Sequence, residues 1–585
     1  MKKITCTING QTVEVAEGTS IYKAARQAKV KIPALCYHPD LPAWGACGLC
    51  VVKIEGSRKM PRACATAVQD GMSIITHDPE LQEVRRSTLQ LILSTHPNTC
   101  LTCARNQTCE LQKLAHEFGV REMPFEMMVQ DIPQDDSTPS IVLNPEKCVK
   151  CGRCVNVCQD MQNVFALEFL ERGHEVRMAP AADVPLNDSP CIKCGQCSAH
   201  CPVGAIFERD DTSRVLRAIR DEKLKTVVQI APAVRVALGE AFGMEPGELS
   251  TGKIYAALRR LGFDVVFDTN FGADLTVMEE GTEFVKRFTG GGEHGPLPQI
   301  TTCCPSWVDY MEKFYPEMIP YFSTAKSPMM MLAAMTKTYF AEQQGLKAED
   351  IFHASIMPCT SKKYEAVRDE NMYSSGVQDI DASITTRELA RMIKSAGINF
   401  AELADEEADT ALGLYTGAGT IFGATGGVME AALRTAYHAI TGEDREKVEF
   451  TEVRGLDGVR EAAIDVQGTE VRVAVAHSIS NVTKVLDRVK EAHAQGQELP
   501  YHFIEVMACP GGCISGGGQP YGTTNAVRRK RIKGLYTDDT RQKLRQSHHN
   551  EAIQALYENF LGEPLSEKSH HYLHTSYTPR PVYNK

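Results

Sequence analysis

Two stretches of this chain repeat one cysteine spacing, Cys148-x2-Cys151-x2-Cys154-x3-Cys158 and Cys191-x2-Cys194-x2-Cys197-x3-Cys201-Pro202. Thiolates are soft ligands, and gaps of two or three residues let one turn of backbone aim several of them at a single inorganic core. In the two-cluster form of such runs, three cysteines of each run hold one 4Fe-4S cluster and the fourth crosses to the other. The spacing therefore assigns Cys148, Cys151, Cys154 and Cys201 to one cluster and Cys191, Cys194, Cys197 and Cys158 to its neighbour. Gln159 stands where proline is usual after the first run. Zinc also accepts C-x2-C pairs, but two complete four-cysteine runs favour iron.

Two further groups precede these runs. Cys36-x10-Cys47-x2-Cys50-x13-Cys64 can surround a 2Fe-2S rhomb with a long loop, a C-x2-C hairpin and a distant fourth thiolate, although its first gap exceeds the x4 of the plant type. His96-x3-Cys100-x2-Cys103-x5-Cys109 reads as a 4Fe-4S site with one imidazole ligand. Zinc remains the competing reading of both groups. A disulfide framework does not fit 21 cysteines in 585 residues that are 43% hydrophobic, because disulfide-dense chains are mostly small secreted domains without a sufficient core.

The start of the chain alternates polar and apolar residues and lacks the apolar run of a secretory signal. No stretch of about 18 apolar residues offers a membrane span. The expectation is a soluble protein of a reducing, cytoplasmic compartment with no membrane partner. A net charge of −11 argues against a nucleic-acid partner. The basic run at 528–533 reads as a solvated face. His548, His549, His570, His571 and His574 make the tail histidine-rich, and a solvated helix and loop is the preferred reading over a metal site. Gly247-x4-Gly252-Lys253 has Ile254 where a phosphate loop needs a hydroxyl, and Phe422 breaks the glycine pattern begun at Gly417 and Gly419, so neither supports a nucleotide site.

The elements that must position these residues follow from periodicity. Residues 3–8 and 11–15 alternate around Asn9-Gly10, a hairpin signal, and helical spacing follows at 21–28. A second helix is expected over 81–93, and 123–139 reads as a linker. From about residue 210 apolar runs alternate with helical segments, which predicts α/β layering with strands near 226–230, 264–267, 351–356, 471–476 and 503–506. Several of these strands run into cysteine- or proline-containing turns. Open α/β sheets bind ligands beyond the carboxyl ends of their strands, so a buried cofactor is expected there. The spacing of Ile553, Leu556, Tyr557 and Phe560 predicts a tail helix packed on that lobe.

Three motifs separate an enzyme from an electron-transfer module: Thr301-Thr302-Cys303-Cys304-Pro305-Ser306-Trp307, then Met357-Pro358-Cys359-Thr360-Ser361-Lys362-Lys363-Tyr364-Glu365, then Glu505-Val506-Met507-Ala508-Cys509-Pro510-Gly511-Gly512-Cys513. They resemble the three signatures of FeFe-hydrogenases, a resemblance that spans almost the whole chain. The first two cysteine groups resemble domains that this family shares with the large iron-sulfur subunit of respiratory NADH dehydrogenases. The resemblance implies a multidomain α+β protein. It would have a 2Fe-2S ferredoxin-like (β-grasp) domain at 1–78, a 4Fe-4S domain with one histidine and three cysteine ligands at 79–125 and a two-cluster ferredoxin domain at 140–209. A two-lobed α/β catalytic domain at 210–520 and a small-subunit-like helical tail at 521–585 complete it. It also implies one 2Fe-2S cluster, three accessory 4Fe-4S clusters and an H-cluster. The H-cluster's cubane would be held by Cys304, Cys359, Cys509 and Cys513. Through Cys513 it would bridge to a two-iron subsite with carbonyl, cyanide and azadithiolate ligands. Pro232 and Lys362 resemble the family's cyanide-contacting positions, and Met357 and Met507 its apolar lining. Ala233 stands where some relatives carry serine and Met329 where some carry glutamine, changes that would tune the site without removing the reaction.

With these assignments only Cys6 and Cys303 remain without a ligand role. Cys6 lies on a strand face with Ile4 and Ile8 and reads as a buried structural residue. Cys303 adjoins a ligand and matches the family's proton-donating cysteine. Glu280, Glu283 and Arg287 share one helix face by spacing. Alone they would read as an exposed ion-pair ladder, but their segment resembles the family's proton relay and Ser323 its hydroxyl partner. The implied route is Cys303, Glu280, Ser323, Glu283 and Arg287. The implied function is reversible H2 oxidation in the catalytic subunit of an NADP-reducing hydrogenase, with flavin/NADP-binding and 2Fe-2S companion subunits and dedicated maturation proteins. A monomeric ferredoxin-dependent hydrogenase is the alternative, ahead of a respiratory-type electron-transfer subunit or an H2 sensor.

Overall fold

The computed structural model describes residues 2–290 and 294–584. At the N-terminus, β1 (Lys3–Ile8) and β2 (Gln11–Ala16) pair antiparallel around Asn9 and Gly10, whose φ values of 53° and 82° are those a tight hairpin turn needs. β3 (Lys53–Ile54) and β4 (Ser73–Ile75) extend this sheet in the order β2-β1-β4-β3. Ile4, Cys6 and Ile8 point inward against Ile21, Ala24 and Ala25 of the helix Ile21–Gln27. The next helix, Pro79–Ser94, starts on the Asp78 carboxylate, which accepts from Leu81 N at 2.7 Å, with proline at its first position. Its buried Arg85 donates to the Leu49 and Val51 carbonyls, tying this helix to the loop that carries Cys47 and Cys50. Residues 123–139 hold no helix or named strand.

β5 (Ile141–Leu143), β6 (Leu167–Leu170), β7 (Arg177–Pro180) and β8 (Ile206–Glu208) form two antiparallel ribbons, β5 with β8 and β6 with β7. The sequence repeat is also a backbone repeat. Lys150 and Gly152 in the first run, and Lys193 and Gly195 in the second, all have positive φ, and a short helix follows each glycine.

The larger part of the chain is built on two four-stranded sheets. β9 (Lys225–Ile230), β10 (Val265–Asp268), β11 (Gln299–Ile300), β12 (Ile351–Met357), β13 (Ala382–Thr385), β14 (Val459–Val466), β15 (Thr469–His477) and β16 (Phe503–Met507) supply them. One sheet runs β10-β9-β12-β13 and is wholly parallel. The other runs β11-β16-β15-β14, with β14 antiparallel to its neighbour. Five of these strands lie where periodicity predicts them. β11, β13 and β14 are additions that the sequence reading did not name.

The tail wraps this unit. Ile553, Leu556, Tyr557, Leu561 and Leu573 pack with Phe267, Phe271, Leu275 and Leu332, as helical spacing predicts for its central part. Two expectations about its charges fail. The basic run is not a solvated face: Arg528 is 3% exposed and donates to Asp40 and Ser515, while Arg531 is fully buried against Glu240 and the Ile514 carbonyl. The helix Asn525–Arg541 turns these arginines toward the domains it joins and leaves Arg529 and Lys530 outside. The histidines are not uniformly solvated either, since His548 and His574 are buried. No described helix is long and apolar enough to cross a membrane.

Candidate active site

Residues just beyond the carboxyl ends of five strands meet at one cavity. Ala231, Pro232 and Ala233 follow β9, Thr269 follows β10, and Cys303, Cys304 and Pro305 come from the turn after β11. Met357 ends β12 and leads to Pro358, Cys359 and Lys362; Met507 ends β16 and leads to Ala508, Cys509, Gly512 and Cys513. Met329 and Phe422 complete an almost wholly apolar wall. The void measures about 80 Å³, several times the ~10–15 Å³ that one water needs on the same measure. Gly512 has φ 98° and sits so close to Thr425 N that a Cβ would force the turn away. A Cβ at Gly516 would collide with the Pro358 carbonyl.

Cys304, Cys359, Cys509 and Cys513 converge on this cavity. Burial pushes all four thiols above their ordinary range, Cys359 up to about 12, and the neighbouring sulfurs add to the effect for all but Cys304. Four such groups become thiolates together only around a cationic core, which is the chemistry an iron-sulfur cubane supplies. Lys362 is the one lysine at the cavity among the described residues. Burial opposes its charge, but Glu365 at 2.6 Å more than offsets this and holds its pKa above the usual value. The ammonium also donates to Ser327 at 2.8 Å and to the Cys303 carbonyl at 3.2 Å.

From Cys303 a line of polar side chains leads away through the protein. Burial, and then the nearby Glu280, raise the Cys303 thiol well above its ordinary value, so it stays protonated. Glu280 and Glu283 lie one turn apart on the helix Thr269–Thr289, and both are buried, as is Arg287. An exposed ion-pair ladder is therefore excluded. Burial and then Glu283 push Glu280 up to about 8. Ser323 lies against the Glu280 carboxyl and donates to Glu283 Oε2 at 3.0 Å. Glu283 Oε1 accepts from Arg287 at 2.5 Å, and Arg287 donates onward to the Phe322 carbonyl. The structure thus brings Cys303, Glu280, Ser323, Glu283 and Arg287 into one file.

The accessory cysteines gather in the sets that spacing proposes. Cys158 lines a small cavity with Cys191, Cys194 and Cys197, while Cys201 lies with Cys148, Cys151 and Cys154. Cys50 and Cys64 sulfurs are 3.3 Å apart, with Cys36 in contact with Cys47 and Cys64. His96, Cys100, Cys103 and Cys109 line one cavity, where His96 Nδ1 is buried without a hydrogen-bond partner. Burial, and then Lys147, lower His96 to about 4, so its imidazole is neutral and free to ligate. A Cβ at Gly204 would strike Cys103 Sγ, so glycine keeps this cradle open. Backbone amides of Lys150, Ala166 and Lys193 donate to the Cys148, Cys158 and Cys191 sulfurs, each at 3.3 Å, the kind of contact that sets a cluster's potential.

Comparison with known proteins resolves what this assembly is. Residues 224–517 match the family described as iron only hydrogenase large subunit, C-terminal domain, and residues 525–580 match iron hydrogenase small subunit. The NADP-reducing hydrogenase subunit HndD of Solidesulfovibrio fructosivorans is 46% identical over 99% of this chain and 100% of its own length. The chain belongs to the iron-only hydrogenase family. Iron hydrogenase 1 of Clostridium pasteurianum is 41% identical over 98% of this chain and 99% of its own. The structure of apo [FeFe]-hydrogenase HydA1 from Chlamydomonas reinhardtii superposes with a TM-score of 0.56 at 42% identity, covering 64% of this chain and all of that one. Residues 1–79, 85–124 and 147–205 match a 2Fe-2S iron-sulfur cluster binding domain, the NADH-ubiquinone oxidoreductase-G iron-sulfur binding region and a 4Fe-4S dicluster domain.

This hydrogenase also uses residues to which the sequence reading gave no role. Gln196 donates to Cys509 Sγ at 3.1 Å and to the Ser515 carbonyl at 2.9 Å, joining the second cysteine run directly to the active-site turn. Thr360 donates to the Lys193 carbonyl, and a Cβ at Gly195 would collide with the Thr360 hydroxyl. Glu505, within the third motif, accepts from Gly426 and Met429 amides at 2.6 and 2.7 Å and so fixes the loop behind Phe422. A buried carboxylate in the middle of the apolar strand β16 was the available signal for Glu505. Gln196 and Thr360 lie within cysteine motifs, but nothing in the local sequence points to their partners, which lie far along the chain.

Proposed function

We propose that this chain is the catalytic subunit of a cytoplasmic, multisubunit FeFe-hydrogenase that interconverts H2 with protons and electrons and passes the electrons to companion flavin/NADP-binding and 2Fe-2S subunits. The observation that carries the chemistry is Cys303, a protonated thiol that lines the cysteine-walled cavity and heads a buried file of acid groups. Cys304, Cys359, Cys509 and Cys513 would hold the cubane, with Pro232, Lys362, Met357 and Met507 around the two-iron subsite. When bound, that centre supplies heterolytic cleavage of H2 and accepts the electrons. The protein's own part is to move the proton. Cys303 gives its thiol proton toward Glu280 and is reprotonated from the cavity side. Glu280, poised near neutrality, relays the proton by way of the Ser323 hydroxyl to Glu283, which Arg287 orients. The apolar wall excludes water, so that protons leave by this file and not through bulk solvent.

Electrons would leave through the cluster on Cys191, Cys194, Cys197 and Cys158, which adjoins the cubane at Gln196. They would then pass to the clusters on Cys148, Cys151, Cys154 and Cys201, on His96, Cys100, Cys103 and Cys109, and on Cys36, Cys47, Cys50 and Cys64. The finer fold reading belongs with this proposal: a β-grasp domain at 1–78, the histidine-ligated 4Fe-4S domain at 79–125, a two-cluster domain at 140–209, a two-lobed catalytic domain at 210–520 and a tail at 521–585. NADP as the final acceptor is supported by near full-length similarity to a subunit of an NADP-reducing hydrogenase. A single-chain, ferredoxin-dependent enzyme is the second reading, since a relative named only as an iron hydrogenase spans the same length. The test is purification with companion subunits and H2-oxidation assays with NADP, NAD and ferredoxin. NADP reduction by the complex is expected; activity of a lone chain with ferredoxin alone overturns the multisubunit reading.

A further inference from the structure

Far from the cysteines in sequence, three imidazoles surround one carboxylate. His438, near the end of the helix Gly427–Thr441, places Nδ1 3.1 Å from Asp444 Oδ1, and His548 places Nε2 3.1 Å from the same oxygen. His549 places Nε2 2.7 Å from Oδ2. The ligating atoms of His438, Asp444 and His548 all lie within 4.8 Å of one another. The His438 and His548 rings stack at 4.3 Å between centroids, which holds the two side chains together. His548 is buried at this cluster. Its other nitrogen, Nδ1, lies 3.1 Å from the Thr435 hydroxyl, the outer contact that typically fixes the ring of a ligating histidine. Asp444 and His549 side chains are each 41% exposed, which leaves an ion a way in.

We propose that His438, Asp444 and His548 form a binding site for one Zn2+ ion that fastens the tail to the helix Gly427–Thr441, with His549 steadying Asp444 through its other oxygen. Two nitrogens and one carboxylate oxygen, with water in the fourth position, make a tetrahedral set that suits zinc, whereas the iron-sulfur groups of this chain are sulfur-rich. The clamp has a structural consequence. Ser547 and Asn550, which flank the two histidines, donate to Asp274 at 2.7 and 3.0 Å, and Asp274 lies on the helix that carries Glu280. Zinc at this site therefore holds the tail turn against the helix of the proton file.

The test is metal analysis and zinc K-edge X-ray absorption on the iron-loaded enzyme, equilibrated with zinc chloride and freed of excess ion. X-ray absorption is needed because zinc can also enter thiolate sites, and it separates the two. About one zinc per chain is expected, with nitrogen and oxygen scatterers near ~2.0–2.1 Å and no sulfur shell near ~2.3 Å. H438A and D444A should each weaken zinc binding roughly tenfold or more while keeping the parent's iron content. The His438 side chain is 37% exposed, so H438A is the variant least able to disturb folding. Absence of zinc from the parent, a sulfur shell around it, or undiminished zinc in both variants overturns the proposal.

Discussion

At the scale of single residues, the assignment rests on separating a proton carrier from iron ligands among neighbouring cysteines. Cys303 and Cys304 are adjacent in sequence and both line the cavity, yet Cys303 alone leads into the Glu280 file. C303A should therefore lower H2 turnover roughly 10²–10⁴-fold, the usual worth of a positioned acid-base group, with iron content unchanged. Full activity would remove Cys303 from the path. Glu280 gives a second reading of the same file. Its folded pKa of about 8 lies above the ordinary 4.5, so its stabilising contribution is complete below about pH 4.5 and is lost as pH rises toward about 8. E280Q removes this term, worth up to a few kcal/mol, and its melting temperature should fall less than the parent's between about pH 5 and about pH 8. Glu505, raised by burial to about 7, keeps a weaker dependence of the same sign in that variant. The ligand sets of the three accessory 4Fe-4S sites could be read from sequence because each is mostly local, three thiols within a dozen residues, whereas the cysteines at the cavity are scattered and needed motif resemblance. The roles of Gln196 and Thr360 could not, because although both sit beside motif cysteines they act across the contact between two domains, on partners far along the chain.

At the scale of elements, apolar runs marked five strands of the two larger sheets and alternation marked the N-terminal hairpin, whereas β11 and β14 went unmarked. β11 is two residues long, and β14 alternates exposed and buried positions as an edge strand with one wet face does. The basic run shows the limit of charge pattern as a guide to exposure. Its residues are consecutive on a helix, so successive arginines turn through about 100° each and cannot share one face. Arg531 is buried with its Nε and Nη2 on Glu240 and its Nη1 on the Ile514 carbonyl, whereas Lys530 is exposed and meets an exposed Glu245. R531M leaves the largely buried Glu240 without its cation and should destabilise the protein by about 3–5 kcal/mol, read as a lowered thermal midpoint. K530M should leave that midpoint unchanged. Equal effects of the two substitutions would mean that the helix Asn525–Arg541 does not pack as described.

At the scale of the whole molecule, the proposed proton and electron routes leave the active site in different directions. The proton file runs along the helix Thr269–Thr289, whereas Gln196 ties the sulfur of Cys509 to the second cysteine run, on the side of the N-terminal iron-sulfur domains. A Cβ at Gly517 would overlap the Cys194 carbonyl, so glycine permits backbone contact between the two sites. This division gives a test that separates the two exits. Isotope exchange between H2 and D2O requires cleavage and proton movement but no net removal of electrons; oxidation of H2 by an external acceptor requires both. C197S takes one thiolate from the proposed cluster beside the cubane and leaves Cys303 and Glu280 untouched. Its acceptor-linked H2 oxidation should fall by roughly 10–100-fold, with isotope exchange near the parent rate. Equal loss of both activities would place Cys197 in the support of the catalytic domain, and equal retention would route electrons past it. The same comparison made on C303A should show no such split, since loss of the proton carrier stops exchange and oxidation together.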